Sequence, residues 1–72
     1  MKLYTKTVCP KCMLVKMWID NSDKEVEYFN IDHDEALADK FRGLGIMAAP
    51  ILEAEEGVYV TEMSEIEKII GS

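Results

Sequence analysis

Two cysteines, Cys9 and Cys12, stand three positions apart in a chain of 72 residues that has no others. This pair narrows the choice of fold at once. Small secreted domains that lack a core carry four, six or eight cysteines in wide loops. A single CxxC closes almost no loop, so it removes little entropy from the unfolded chain. The fold must therefore rest on a hydrophobic core. At this length that core is thin, because a domain of such a size buries only about 60% of the surface its unfolded chain exposes. One domain over residues 1–72 is expected. Apolar residues make up 49% and charged residues 31%, which is a globular balance.

The value of the cysteine pair is then chemical, either redox cycling or metal binding. Fourteen acidic and eight basic residues give a net charge of −6. This argues against nucleic acid and against anionic membrane surfaces as partners. No apolar run approaches the ~20 residues of a membrane span. The start, Met1-Lys2-Leu3-Tyr4-Thr5-Lys6, has no apolar segment of a secretory signal. The expected location is thus the cytoplasm, where disulfides are transient.

The pattern along the chain alternates between strand and helix. Lys2 to Val8 reads as a strand running into a loop. From Pro10 to Asp20, Met13, Leu14, Met17 and Trp18 recur at helical spacing, and Met13, Met17 and Trp18 are expected to pack on the sheet. Pro10 suits the first helical position, where its missing N–H would have no partner anyway. Glu25 to Ile31 is β-branched and aromatic, a second strand in which Tyr28, like Tyr4 before it, is expected to be half-buried. Asp32 followed by Glu35 fits a capping box, opening a helix that ends at Gly43 or Gly45. Ala49-Pro50-Ile51-Leu52 begins a third strand, Glu55-Glu56-Gly57 turns, and Val58-Tyr59-Val60 returns as a hairpin. Ser64 and Glu67 match a second capping box ahead of Ile66, Ile69 and Ile70. The order is β-α-β-α-β-β-α. A right-handed crossover makes the first two strands parallel, and the hairpin adds an antiparallel pair. An α/β fold with one four-stranded mixed sheet flanked by helices follows. Asp20, Asp23, Glu53, Glu55 and Glu56 read as solvated surface.

Cys9 lies where the first strand gives way to a helix. The helix N-terminus offers unpaired N–H groups and the positive end of the macrodipole, and both favour a thiolate. Lys6 and Lys11 add positive potential. Such cysteines have pKa values of roughly 3.5–7.5, against ~8.5 for a free thiol. Cys9 is therefore the expected nucleophile. Cys12, one turn on and deeper, is the expected resolving thiol. Residues i and i+3 of a first turn come close enough for a disulfide with little backbone movement. Pro10 stiffens the turn and Lys11 points outward. The competing reading is a zinc-linked interaction module. It needs four ligands, and this chain supplies only His33 besides the two cysteines, so a dimeric four-cysteine site would be required.

Leu3-Tyr4-Thr5-Lys6-Thr7-Val8-Cys9-Pro10-Lys11-Cys12, Ile31-Asp32 and Gly45-Ile46-Met47-Ala48-Ala49-Pro50 together resemble a glutaredoxin-type member of the thioredoxin superfamily. The resemblance runs nearly end to end, and the family order of elements is the one derived above. It implies a thioredoxin-like fold and thiol-disulfide oxidoreductase activity through the Cys9–Cys12 pair, with no bound cofactor. It implies that Pro50 is cis and faces the cysteines, and that the Ala49 backbone pairs with a substrate segment like an added strand. From the residues alone, Pro50 reads as an ordinary trans proline on an edge strand. Lys6 matches the family lysine that meets the glycine carboxylate of glutathione.

Two subfamilies compete. Glutathione-dependent members usually carry CPYC, Thr-Val-Pro and a Gly-Gly turn. Here Lys11, Ala48-Ala49 and Thr61-Glu62-Met63-Ser64 stand instead. NrdH-type redoxins are equally short, are reduced by thioredoxin reductase and pass electrons to ribonucleotide reductase. Their usual Ser-Gly-Phe-Arg-Pro run is absent too. The expectation leans to a monomeric, reductase-coupled donor for protein disulfides, with glutathione as the alternative reductant.

Overall fold

The structure is a computed structural model that describes residues 1–71. Its strands are β1 (Lys2–Thr5), β2 (Glu27–Asn30), β3 (Ile51–Glu55) and β4 (Val58–Val60). Its helices are α1 (Pro10–Asp20), α2 (Glu35–Gly43) and α3 (Met63–Gly71). The expected order of elements is observed, with one short 3₁₀ turn, Ile31–His33, added before α2. The strands form one mixed sheet in the order β2-β1-β3-β4. β1 runs parallel to β2 and antiparallel to β3, and β3 and β4 form the hairpin.

Strand alternation divides the core into two layers. On one face Leu3 and Leu52 pack with Val15 and Ile19 of α1 and Ile66 and Ile70 of α3. On the other, Tyr4 and Ile51 pack with Ile31 and Phe41. Phe41 meets Tyr4 edge-on, with ring centroids 4.8 Å apart, a favoured aromatic geometry. This second layer is covered by α2 and the 3₁₀ turn.

Both capping boxes are displaced. The cap of α2 is Asp34, whose Oδ1 accepts from the N–H groups of Ala36 (3.0 Å) and Leu37 (3.2 Å). Asp32 sits inside the 3₁₀ turn, its own N–H held by Asn30 Oδ1 at 2.9 Å. The C-terminus of α2 closes as a Schellman motif, with Gly45 N–H donating to Arg42 and Ile46 N–H to Phe41. Gly45 has φ +75°, a conformation without penalty only for glycine. Helix α3 starts one residue before Ser64. The Glu62 carbonyl accepts from Ile66 N–H, and the Ser64 hydroxyl donates to the Glu62 carboxylate at 2.8 Å.

Strands are shorter than their patterns. β1 ends at Thr5, and the Thr7 N–H donates to the Asp32 side chain instead of to a strand; β2 ends at Asn30, where Ile31 begins the 3₁₀ turn and joins the core. Met13, Leu14 and Met17 do not join the core; all three are exposed. The core side of α1 is Cys12, Val15 and Ile19, with Trp18 packed partly against it. Tyr4 is fully buried and Tyr28 is exposed, because β2 is the sheet edge. Glu53 is not solvated surface. It is only 7% exposed and is held by Tyr4 and by the Gly57 N–H.

Candidate active site

Pro10 occupies the first turn of α1, and Cys9 is the N-cap residue in extended conformation. The Cys12 N–H donates to Cys9 Sγ at 3.1 Å. One of the helix's orphan donors is therefore satisfied by sulfur instead of by the usual Ser, Thr, Asp or Asn oxygen. Sulfur is a weak acceptor when neutral, and a thiolate in its place would accept a stronger, charge-assisted bond. The first turn of α1 contains no acid to oppose that charge. Cys12 is 2% exposed, whereas Cys9 is half-buried at the helix entrance. The two are joined as a disulfide, so the structure shows the oxidised state. Pro10 and Lys11 are exposed beside it.

The register of β1 with β3 pairs Tyr4 with Ile51. Pro50 therefore stands level with Thr5, at the end of the sheet from which the Cys9 loop departs. The Ala49–Pro50 bond is cis, and Pro50 is buried while Ala49 is half-buried. The six residues singled out besides Cys12 thus divide into two groups at one end of the sheet. Lys6, Cys9, Pro10 and Lys11 come from the β1–α1 segment, and Ala49 and Pro50 from the entry to β3.

Lys6 and Met47 line a small cavity of about 90 Å³ floored by Ile31, Phe41 and Ile51, with Arg42 and Ala48 also lining it. Met47 is open to solvent and does not pack the loop it sits in. One partner of this region was not legible in the pattern. Asp32 Oδ2 accepts from the Thr7 N–H at 2.9 Å, and Asn30 Nδ2 approaches Thr7 Oγ1 at 3.5 Å. These contacts tie the Cys9 loop to the end of β2. The Thr7 N–H holds the Asp32 carboxyl below its usual range, and nearby Lys6 lowers it further. Only the Asp32-x-Asp34 repeat hinted that two acids would share two tasks here.

A glutaredoxin family model matches residues 1–67. The chain belongs to the glutaredoxin family. As a glutaredoxin it is a thiol-disulfide oxidoreductase whose redox centre is the Cys9–Cys12 pair. Among curated proteins it is similar to the glutaredoxin-like protein NrdH of Lactococcus lactis subsp. lactis, at 28% identity over 57 residues, 79% of each chain. The NrdH of Lactococcus lactis subsp. cremoris matches with the same identity and coverage. Among solved structures, the NrdH-redoxin of Escherichia coli superposes with a TM-score of 0.80 at 22% identity, covering 93% of this chain and 90% of that one. That likeness establishes the thioredoxin-like fold of this glutaredoxin. Among the described residues, no group of three or more His, Cys, Asp or Glu is placed to hold a metal ion, and His33 is exposed. No helix among them is long and apolar enough to cross a membrane.

Proposed function

We propose that this glutaredoxin is an NrdH-like electron donor, which reduces protein disulfides and is itself recharged by a thioredoxin-reductase-type enzyme. The observation that carries the reading is the Cys12 N–H aimed at Cys9 Sγ at 3.1 Å. It supports Cys9 as the sulfur that the helix N-terminus would stabilise as an anion in the reduced protein. In the reduced protein the Cys9 thiolate attacks one sulfur of a client disulfide. That S–S bond breaks, a mixed disulfide forms on Cys9, and the departing client thiolate takes a proton from water. Cys12 then loses its proton and attacks Cys9 Sγ, the mixed disulfide breaks, and the second client thiolate leaves. Two electrons have passed to the client, and the Cys9–Cys12 disulfide remains. The Ala49 backbone beside cis Pro50 holds the client segment, and Lys6, Pro10 and Lys11 border its path.

The choice of reductant rests on the residues around the site. Glu62 occupies the segment after β4 where an anionic tripeptide would otherwise settle, and the flexible Gly-Gly pair is missing. The E. coli relative is described as having a thioredoxin-like activity profile. By this reading the client class includes the ribonucleotide reductase disulfide, and the compartment is the reducing cytoplasm. The test is disulfide turnover driven by NADPH with thioredoxin reductase, compared with NADPH, glutathione and glutathione reductase. Faster turnover with thioredoxin reductase is expected. Turnover with glutathione alone would overturn the choice of reductant, and none with either would overturn the function.

A further inference from the structure

Helix α1 is apolar on two opposite sides. At 100° per residue, Pro10, Met13, Leu14 and Met17 lie on the side away from buried Cys12, Val15 and Ile19. Met13 is 68% exposed, Met17 59% and Leu14 42%, and Val8 ahead of the helix is 88% exposed. A second apolar side on a helix is one more than packing on the sheet requires. Its outer stripe starts at Pro10, next to the reacting sulfur, and runs to Met17 over about 10 Å at 1.5 Å per residue.

The segment of chain that carries the stripe is charged with one sign only. Residues 1–19 contain Lys2, Lys6, Lys11 and Lys16 and no acid, although the whole chain is at −6. Lys11 and Lys16 are on α1 itself, both exposed. Asp20 is the first acid, at the far end of the helix. A covering surface complementary to this helix is therefore apolar at its centre and acidic where it meets Lys11 and Lys16. The exposed stripe amounts to a few hundred Å², the size of a functional surface patch. A stable dimer buries roughly 800 Å² per partner, so the stripe is too small to hold a second copy and suits a transient contact. Flexible thioethers fit such a contact, since they adapt to more than one shape.

We propose that the outer face of α1, Val8, Met13, Leu14 and Met17 flanked by Lys11 and Lys16, is a docking strip for the disulfide client, and that it selects polypeptide with apolar and acidic residues beside the disulfide. This rests on the oxidoreductase reading. The strip extends the site along the helix, away from the groove at Pro50.

The probes are two disulfide-closed peptides identical except for their flanks, Leu and Glu in one, Ser and Lys in the other, with hydroxyethyl disulfide as a small substrate. Dithiothreitol supplies the electrons, which makes the assay independent of the reductase. Wild-type protein should reduce the Leu/Glu peptide with roughly tenfold higher kcat/KM. The combined Met13→Gln, Leu14→Gln and Met17→Gln variant should lose that preference and keep its rate on hydroxyethyl disulfide. Lys16→Glu should weaken the preference, as should 0.5 M salt. The proposal fails if wild type shows no preference or if the triple variant keeps it. It also fails if the variant loses hydroxyethyl disulfide turnover while still folded by circular dichroism, since the strip would then serve the site and not the client. A concentration-dependent dimer abolished by the triple variant would assign the strip to a second copy. Inactivity of wild type on all three substrates would instead overturn the oxidoreductase reading itself.

Discussion

The Tyr4 hydroxyl donates to Glu53 Oε1 at 2.6 Å and so fastens β1 to β3 within the core. Glu53 Oε2 accepts from the Gly57 N–H at 3.2 Å, which extends the tie to the hairpin turn. The two side chains share a face because the register pairs Lys2 with Glu53 and Tyr4 with Ile51. The Tyr4 bond pulls the Glu53 carboxyl below its usual range, and burial next to that carboxylate pushes the Tyr4 phenol well above its own. Tyr4→Phe removes the donor and leaves a buried carboxylate short of a partner. It should cost about 2 kcal/mol in urea denaturation, while Tyr28→Phe on the exposed edge should change stability by less than about 0.5 kcal/mol. The pH dependence has two flanks. The Glu53 share of stability is present above the unfolded carboxyl value and is lost as pH falls through the lowered folded value. The Tyr4 share is present below the unfolded phenol value of about 10 and is lost as pH rises beyond it.

Cys9 should titrate as a helix-capping thiol. In Cys12→Ser the disulfide cannot form, and the backbone N–H of residue 12 remains to donate to Cys9 Sγ. The rate of iodoacetamide alkylation against pH should then show an inflection well below the ~8.5 of a free thiol. An inflection near 8.5 would remove the basis for Cys9 as nucleophile. In Cys9→Ser the buried Cys12 should alkylate slowly at neutral pH.

Asp32 should moderate that thiolate. Its carboxylate is bonded to the Thr7 N–H, two residues before Cys9, so it stands within a Debye length of the sulfur. An anion there opposes a second anion and offsets part of the Lys6 charge. Asp32→Asn keeps an oxygen for the Thr7 N–H and removes the charge. In the Cys12→Ser background it should move the Cys9 inflection downward by roughly a third of a pH unit at low salt, and less at 0.5 M salt. Asp32→Ala also frees the loop, so it should slow disulfide exchange in addition. An upward movement in Asp32→Asn would show that the carboxylate does not act on Cys9 through its field.

The parts legible in the sequence were those set by local chemistry. Pro10 announced the start of α1, the Glu56-Gly57 turn announced the hairpin, and Cys9 before Pro10 announced a sulfur at a helix end. Residues whose role depends on a distant partner were not legible. Glu53 reads as surface until the β1–β3 register brings Tyr4 to it, and the task of Asp32 depends on where the β1–α1 loop passes. Met13, Leu14 and Met17 have the spacing of a core stripe, but α1 has two apolar sides and periodicity does not say which one meets the sheet. Cys12, Val15 and Ile19 form the side that meets the sheet and α3. The cis state of Pro50 came from the family resemblance and not from the residues around it.

The relocated caps give a direct check on α2 and α3. Asp34 Oδ1 bonds the N–H groups of Ala36 and Leu37 and is itself exposed, so its main contribution is to the helix start. Asp34→Ala should cost about 1 kcal/mol, the usual value of a lost N-cap. Among the described residues the Ser64 hydroxyl bonds the exposed Glu62 carboxylate, from inside the first turn of α3. Ser64→Ala should therefore stay within about 0.5 kcal/mol of wild type, and alanine's better helix propensity favours a change toward greater stability. Both variants keep the Cys9–Cys12 pair, so disulfide exchange should proceed at the wild-type rate wherever the protein is folded. Urea midpoints at constant m-value would decide the matter. A loss at Ser64 equal to that at Asp34 would restore the capping box that the Ser64–Glu67 spacing suggests.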